Sequence, residues 1–241
     1  MIDTDTNSID SCKWELIPIN DKTCPKDENL EELILKYHDA TEEKYNRYIT
    51  RLADTYTHPA RNQETQLGRI FADIFRDNLG LDIMFLASGS LRQKVMKPIV
   101  LLRDLTQMFP YHDEIFRVTV TGKQLKHMIT YLFREEALDG EHTEFYQFSR
   151  DVKVVVSLSE RKVLEISYEG TPIPDDKIYR IGLQGFHFKS MKDFFDVSEE
   201  EVSENAPCRI LSTNAMDVLD ENLSRMDLVR CPEDQRWITL P

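Results

Sequence analysis

Apolar positions recur every three or four residues along parts of this chain and every second residue along others. Leu67, Ile70, Phe71, Ile74 and Phe75 form one stripe, the signature of a core-facing helix. Thr65 or Glu64 starts it, and Asn78-Leu79-Gly80 stops it, with Gly80 at the left-handed cap position. A second helix begins at Thr121-Gly122-Lys123-Gln124, where Thr121 caps and Gln124 completes a capping box, with Leu125, Met128, Ile129, Leu132 and Phe133 inward. From residue 28 to about 56, Leu30, Leu33, Ile34, Tyr37, Tyr45, Tyr48 and Leu52 predict one long helix. Its other face, with Glu31, Glu32, Lys36, Glu42, Glu43 and Lys44, reads as solvated.

Residues 82–87 predict a buried strand and 115–120 an alternating one. A hairpin spans 152–158 and 163–168 about Ser159-Glu160-Arg161, and strands follow at 178–183 and 236–240. The run Trp14-Glu15-Leu16-Ile17-Pro18-Ile19 predicts a lone strand, and 100–108 a short helix or turn. Helices and hairpins interleave without a βαβ rhythm, which predicts an α+β, layered domain. The expected division is residues 1–22 as the tail of an absent upstream domain, 23–57 as an interdomain linker helix and 58–241 as the compact domain.

Charge narrows the partners. The 241 residues carry a formal charge of −13, which disfavours a nucleic-acid polymer or an anionic membrane. A small anion responds instead to a local cluster of arginines. Cys12, Cys24, Cys208 and Cys231 form no C-x-x-C pair and read as reduced thiols, although an oxidising compartment leaves a Cys12–Cys24 bridge open. The N-terminus has no basic and apolar leader pattern, and no apolar run reaches membrane-spanning length. Localisation is therefore unassigned, with a lean to the cytoplasm, or to export if a longer parent carries a signal.

Three segments carry groups suited to a phosphate or a flat base: Ala60-Arg61-Asn62-Gln63-Glu64, Ser88-Gly89-Ser90-Leu91-Arg92 and Phe109-Pro110-Tyr111-His112-Asp113. Guanidinium forks match phosphate oxygens, and the small residues of the second segment expose backbone N–H groups. The bland alternatives are a surface or helix-start ion pair for Arg61 and a satisfied surface group for His112. The motifs of hydrolytic machinery are missing. His38, His58, His112, His127, His142 and His187 show no Asp-x-His, Asn-His-Asp or His-x-His spacing, and there is no P-loop and no Gly-x-Ser-x-Gly elbow. No catalytic residue and no metal ligand is assigned to this chain.

From about residue 59 to 195 these segments, in their order, resemble the C-terminal domain of the 5′-nucleotidase family, which includes UDP-sugar hydrolases and 2′,3′-cyclic-nucleotide phosphodiesterases. Glu64-Thr65-Gln66-Leu67-Gly68-Arg69 is similar to the family's Glu-x-Asn-Leu-Gly-Asn helix start, and Ala87-Ser88-Gly89-Ser90-Leu91-Arg92 to its Asn-Gly-Gly-Gly-Ile-Arg turn. Pro110-Tyr111-His112-Asp113 resembles Pro-Phe-Gly-Asn, and Val120-Thr121-Gly122-Lys123-Gln124-Leu125 resembles Leu-Thr-Gly-x-x-Leu. The stretch Gly170-Thr171-Pro172-Ile173-Pro174 through Tyr179 is similar to the family's strand entry.

The resemblance implies a substrate-recognition domain of a metal-dependent phosphohydrolase acting on nucleoside monophosphates or related phosphoesters. Arg61 and Arg92 would hold phosphate, and Tyr111 and Phe186 would clamp a base, with Phe188 and Tyr146 as substitutes. Asp113 stands at the family's Asn position, and Asp193 would accept the ribose hydroxyls. The family's Gly-Gly-Asp-Gly-aromatic run reads Ser190-Met191-Lys192-Asp193-Phe194 here, without its glycines. An upstream metallophosphatase domain would be the partner and would carry two divalent metal ions, with no cofactor in this chain. The alternative is a non-catalytic binding or interaction module with a decayed nucleotide pocket.

Overall fold

The computed structural model describes residues 2–9, 11–141 and 143–241. His142 of the histidine set lies outside them. The chain divides into two units, Met1–Lys44 and Tyr45–Pro241.

In the first unit, β1 (Ile2–Asp3) and β2 (Ser8–Ile9) pair antiparallel. Residues 11–19, expected to contain a lone strand, form neither strand nor helix. Then comes α1 (Glu28–Tyr45), with Glu28 and Glu31 in its first turn and Lys44 in its last, matching the helix dipole. The expected linker helix of 23–57 is thus corrected: it starts at Glu28 and stops at Tyr45. The compact unit starts at Tyr45 rather than 58, because β3 (Tyr48–Arg51) already buries Ile49 and Thr50. Tyr45, Tyr48 and Leu52 fall at helical spacing by coincidence. The β-branched pair between them favours the pleated state.

The second unit continues with β4 (Tyr56–Thr57) and α2 (Gln66–Leu79). Thr65 caps α2, accepting from Gly68 N at 3.1 Å, and Gly80 ends it at φ 63°. After β5 (Ile83–Ala87), a single 3₁₀ turn at Ser88–Ser90 leads to β6 (Val95–Met96), β7 (Ile99–Leu101) and α3 (Leu102–Met108). Next are β8 (Ile115–Thr121), α4 (Gly122–Tyr131), α5 (Glu135–Leu138) and β9 (Tyr146–Phe148). Then follow β10 (Val152–Ser157), β11 (Lys162–Tyr168), β12 (Thr171–Pro172) and β13 (Ile178–Gln184). The chain ends with α6 (Gly185–Lys189), α7 (Met191–Phe195), α8 (Glu199–Ser203), β14 (Arg209–Ser212), α9 (Ala215–Leu223) and β15 (Trp237–Leu240).

A five-stranded sheet, β14-β8-β13-β5-β9, divides two cores. All five residues of β5 are buried, and pleating splits them. Met84 and Leu86 join the apolar faces of α2, α3 and α9, whereas Ile83, Phe85 and Ala87 join α4, α7 and the strands of the second sheet. That sheet has the order β12-β11-β10-β15. Among the described residues, two strand pairings are parallel, β5 with β13 and β10 with β15, so the α+β domain is mixed rather than purely hairpin-built. Gly122 is required by close approach: a methyl there would overlap the Pro174 carbonyl. That contact is the reason for the Thr-Gly start of α4.

One buried cation fastens the tail. Arg236 is fully buried, and its guanidinium donates to Asp73 at 2.8 Å and to the Phe148 carbonyl at 2.7 Å. Its backbone N–H donates to Glu64 at 3.0 Å. Removing the guanidinium leaves the buried Asp73 carboxylate with the Arg150 N–H at 2.7 Å and the half-exposed Arg150 guanidinium at 4.0 Å, too little to replace it. Arg236→Ala should therefore lower stability by about 3–5 kcal/mol in urea unfolding; a loss below about 1 kcal/mol would show that Asp73 is not left unpaired.

Candidate functional site

Strand direction gathers the candidate segments at one edge of the five-stranded sheet. β5 and β13 run parallel, so both C-terminal ends, Ala87 and Gln184, arrive on the same side. β8 runs antiparallel to β13 and places Ile115 beside Gln184, so Asp113 and Glu114 enter there too. Gly185 N donates to Glu114 O at 2.8 Å, locking the residue before Phe186 to the residue after Asp113.

Two buried glutamines connect the pieces. Gln184 Oε1 accepts from Ser90 Oγ at 2.9 Å and from Ala87 N at 3.3 Å. The Asp113 carboxylate enters at the same strand end, where the Gln184 side chain partly offsets the effect of burial on its pKa. Gln147, on β9, accepts from Thr65 N at 3.0 Å and donates to Gln63 O at 2.8 Å and to Ser88 Oγ at 2.9 Å. Gly68 is small because any side chain there would overlap Gln147. The Arg61 segment, the Gly/Ser turn and the Asp113–Phe186 segments are thus stitched together through side-chain amides. The sequence motifs point to Gln184 only as a neighbour of Phe186 and pass over Gln147. Glutamine just inside an apolar strand is the one signal that could have found them.

The candidate side chains stand as follows. Arg61 and Arg92 are exposed, and among the described residues neither forms an ion pair. Arg92 N donates to Met108 O at 2.8 Å and its guanidinium reaches Gly89 O at 3.3 Å, so the turn and α3 aim it. Tyr111 is 38% exposed and packs edge-on against buried Phe109 at 6.0 Å. Phe186 is 64% exposed and leans edge-on against Phe194 at 5.8 Å. Tyr146 and Phe188, its possible substitutes, are buried and inaccessible to a ligand. Asp113 is half-buried, its Oδ1 has no hydrogen-bond partner, and burial raises its pKa despite the Gln184 and Phe186 contacts. Asp193 is exposed in the first turn of α7, apart from the glutamine network. Met191 and Phe195 bury that helix, where the family's motif has glycines. His112 bonds Asn214 at 3.2 Å, as a satisfied surface histidine does.

Two histidines brace the site from below. His58 is buried, with Nδ1 bonded to Thr65 Oγ1 at 2.9 Å; burial, then the Arg61 charge, hold its pKa below 6.5. His187 is buried against Tyr146, with Nδ1 and the phenol oxygen 2.7 Å apart, and burial pulls its pKa from 6.5 to about 4.

No metal centre accompanies this arrangement. Among the described residues no group of three or more His, Cys, Asp or Glu side chains could hold an ion. All four cysteines are free thiols. Among the described residues no helix is long and apolar enough to cross a membrane.

The geometry places exposed guanidinium groups and open aromatic rings at one strand edge of the five-stranded sheet. The 5′-nucleotidase, C-terminal domain family matches residues 41–199, and the chain belongs to that family. Among solved structures it is similar to the 5′-nucleotidase precursor from Thermus thermophilus, with TM-score 0.68 and 17% identity over 91% of this chain and 44% of that one. It is also similar to a putative 5′-nucleotidase from Staphylococcus aureus, with TM-score 0.67 and 16% identity over 92% and 46%. A third is the Haemophilus influenzae NAD nucleotidase, with TM-score 0.64 and 11% identity over 89% and 42%. These likenesses are of fold, and the chain spans less than half the length of each. No curated protein sequence matches it.

The histidine beneath Phe186 sets an acid limit. Below pH 6.5 the unfolded chain takes up a proton that folded His187 refuses, so stability falls as the pH drops toward about 4 and then levels. The full loss is roughly 3 kcal/mol. Denaturation midpoints at neutral and acid pH should show this slope in the native chain and a shallower one in His187→Gln. Equal slopes would assign it to another group.

Proposed function

We propose that this chain is the nucleotide-recognition domain of a 5′-nucleotidase-type, metal-dependent phosphohydrolase acting on nucleoside monophosphates or related phosphoesters. Tyr111 and Phe186 take the base, Arg92 and Arg61 the phosphate, and Asp113 meets the base edge. A metallophosphatase domain supplies two divalent ions and the hydroxide nucleophile, as two-metal sites do. Residues 1–22 are the tail of that domain and α1 is the connector. The observation that carries this reading is the Gln184 junction, which ties the Ser90–Arg92 turn to the strand end before Phe186, with Asp113 entering at the same edge while both rings stay open. An open surface suits half of an interdomain cleft.

A second reading has one observation in its favour. The α7 helix and its buried Met191 and Phe195 occupy the stretch where glycines would let backbone approach a sugar. On that reading the domain is a non-catalytic module whose nucleotide pocket has decayed, and Asp193 has no ligand role.

Thermal shift with nucleosides and nucleotides separates the two. Stacking on an aromatic is worth about 1–3 kcal/mol per base, so Tyr111→Ala and Phe186→Ala should each remove most of the stabilisation by adenosine. Arg92→Ala should remove only the increment that AMP has over adenosine. Silence of the native chain across the panel favours the decayed module. The isolated chain should not hydrolyse AMP with any divalent metal, and clean turnover would overturn the division of labour.

A further inference from the structure

The Gly/Ser turn beside Arg92 already holds an anion supplied by the protein itself. Gly89 N donates to Glu144 Oε1 at 2.7 Å. A methyl placed on Gly89 would lie 3.1 Å from Glu144 Oε2 and 3.3 Å from Oε1, so the carboxylate lies across the face of the turn. The loop that carries it is anchored, since Ser88 N donates to Phe145 O at 2.8 Å. On the other side of the same residue, the Arg92 guanidinium reaches the Gly89 carbonyl. The small residues of this turn point to amides open to a phosphate, and at Gly89 the amide is bonded to Glu144 instead. Glu144 lies outside every motif that carried the family resemblance.

We propose that Glu144 is a specificity-determining residue of this site: its carboxylate takes the turn amide that a ligand's phosphate would use and disfavours a second negative charge beside Arg92. The inference rests on the nucleotide-recognition reading for the identity of the ligand, but its physical content concerns the anion alone. A glutamine would make the same bond to Gly89, so the hydrogen bond does not require charge. What the carboxylate adds is repulsion of an incoming anion, and a bias toward ligands that are neutral or singly charged at this point. A doubly charged phosphate must displace or tolerate it.

The test uses the full chain with Glu144→Gln, which keeps the bond and removes the charge, and Glu144→Ala, which also frees the amide. Probes are inorganic phosphate, AMP and adenosine, read by titration calorimetry at low salt. Both variants should bind phosphate and AMP more tightly by about fivefold or more, the scale of one like charge at contact distance in water, with adenosine unchanged. Unchanged phosphate and AMP affinity in Glu144→Gln and Glu144→Ala would overturn the proposal, as would an equal gain for adenosine. If adenosine binds no form of the chain, the nucleotide reading fails, and the phosphate arm still decides the role of Glu144.

Discussion

The candidate site depends on two buried glutamines. A primary amide both donates and accepts, so one side chain can satisfy polar groups on separate segments where water is excluded. Gln147 does this for the turn and the start of α2, and the Gln184 oxygen accepts from both Ala87 and Ser90. Each bond is modest by itself. Buried polar groups are nonetheless expensive to leave unmade, so the two amides tolerate few arrangements of the three segments. The exposed arginines and rings therefore stand on a rigid base.

That base is rigid because the sheet beneath it is buried on both faces. β5 contributes alternate residues to two separate cores and pairs with β13 in parallel and β9 in antiparallel register. The tail adds a lock through Arg236, which ties β15 to α2 and to the end of β9. The electrostatics of the candidate face follow from this support. His58 and His187 are held neutral by burial below an acidic fringe formed by Asp113 and Glu144, while Arg61 and Arg92 remain in solvent.

Much of the local structure was legible because its causes are local. The stripe of α2, the Thr65 and Gly80 caps, the Thr121–Gln124 capping box and the hairpin about Ser159 each depend on residues within a few positions of one another. The linker helix was overextended because Tyr45, Tyr48 and Leu52 share a spacing with helices while Ile49 and Thr50 pack as a strand. Trp14 to Ile19 has strand-like residues and no strand, since a strand exists only through a pairing partner. At the candidate site, motif order pointed to Arg92, Tyr111 and Phe186, whereas Glu144 and Gln147 gave no local signal because each bonds a residue more than fifty positions away.

By itself, then, the sequence determined the helices, their caps, the turns and the family to which the domain belongs, because these follow from neighbouring side chains competing for backbone groups and from the order of short motifs. Only the tertiary structure decided that β5 and β13 run parallel, that Gln184 reaches Ser90, and that Glu144 lies on Gly89. Those outcomes come from burying two apolar faces of one sheet at once, and that packing selects which distant polar groups must satisfy each other.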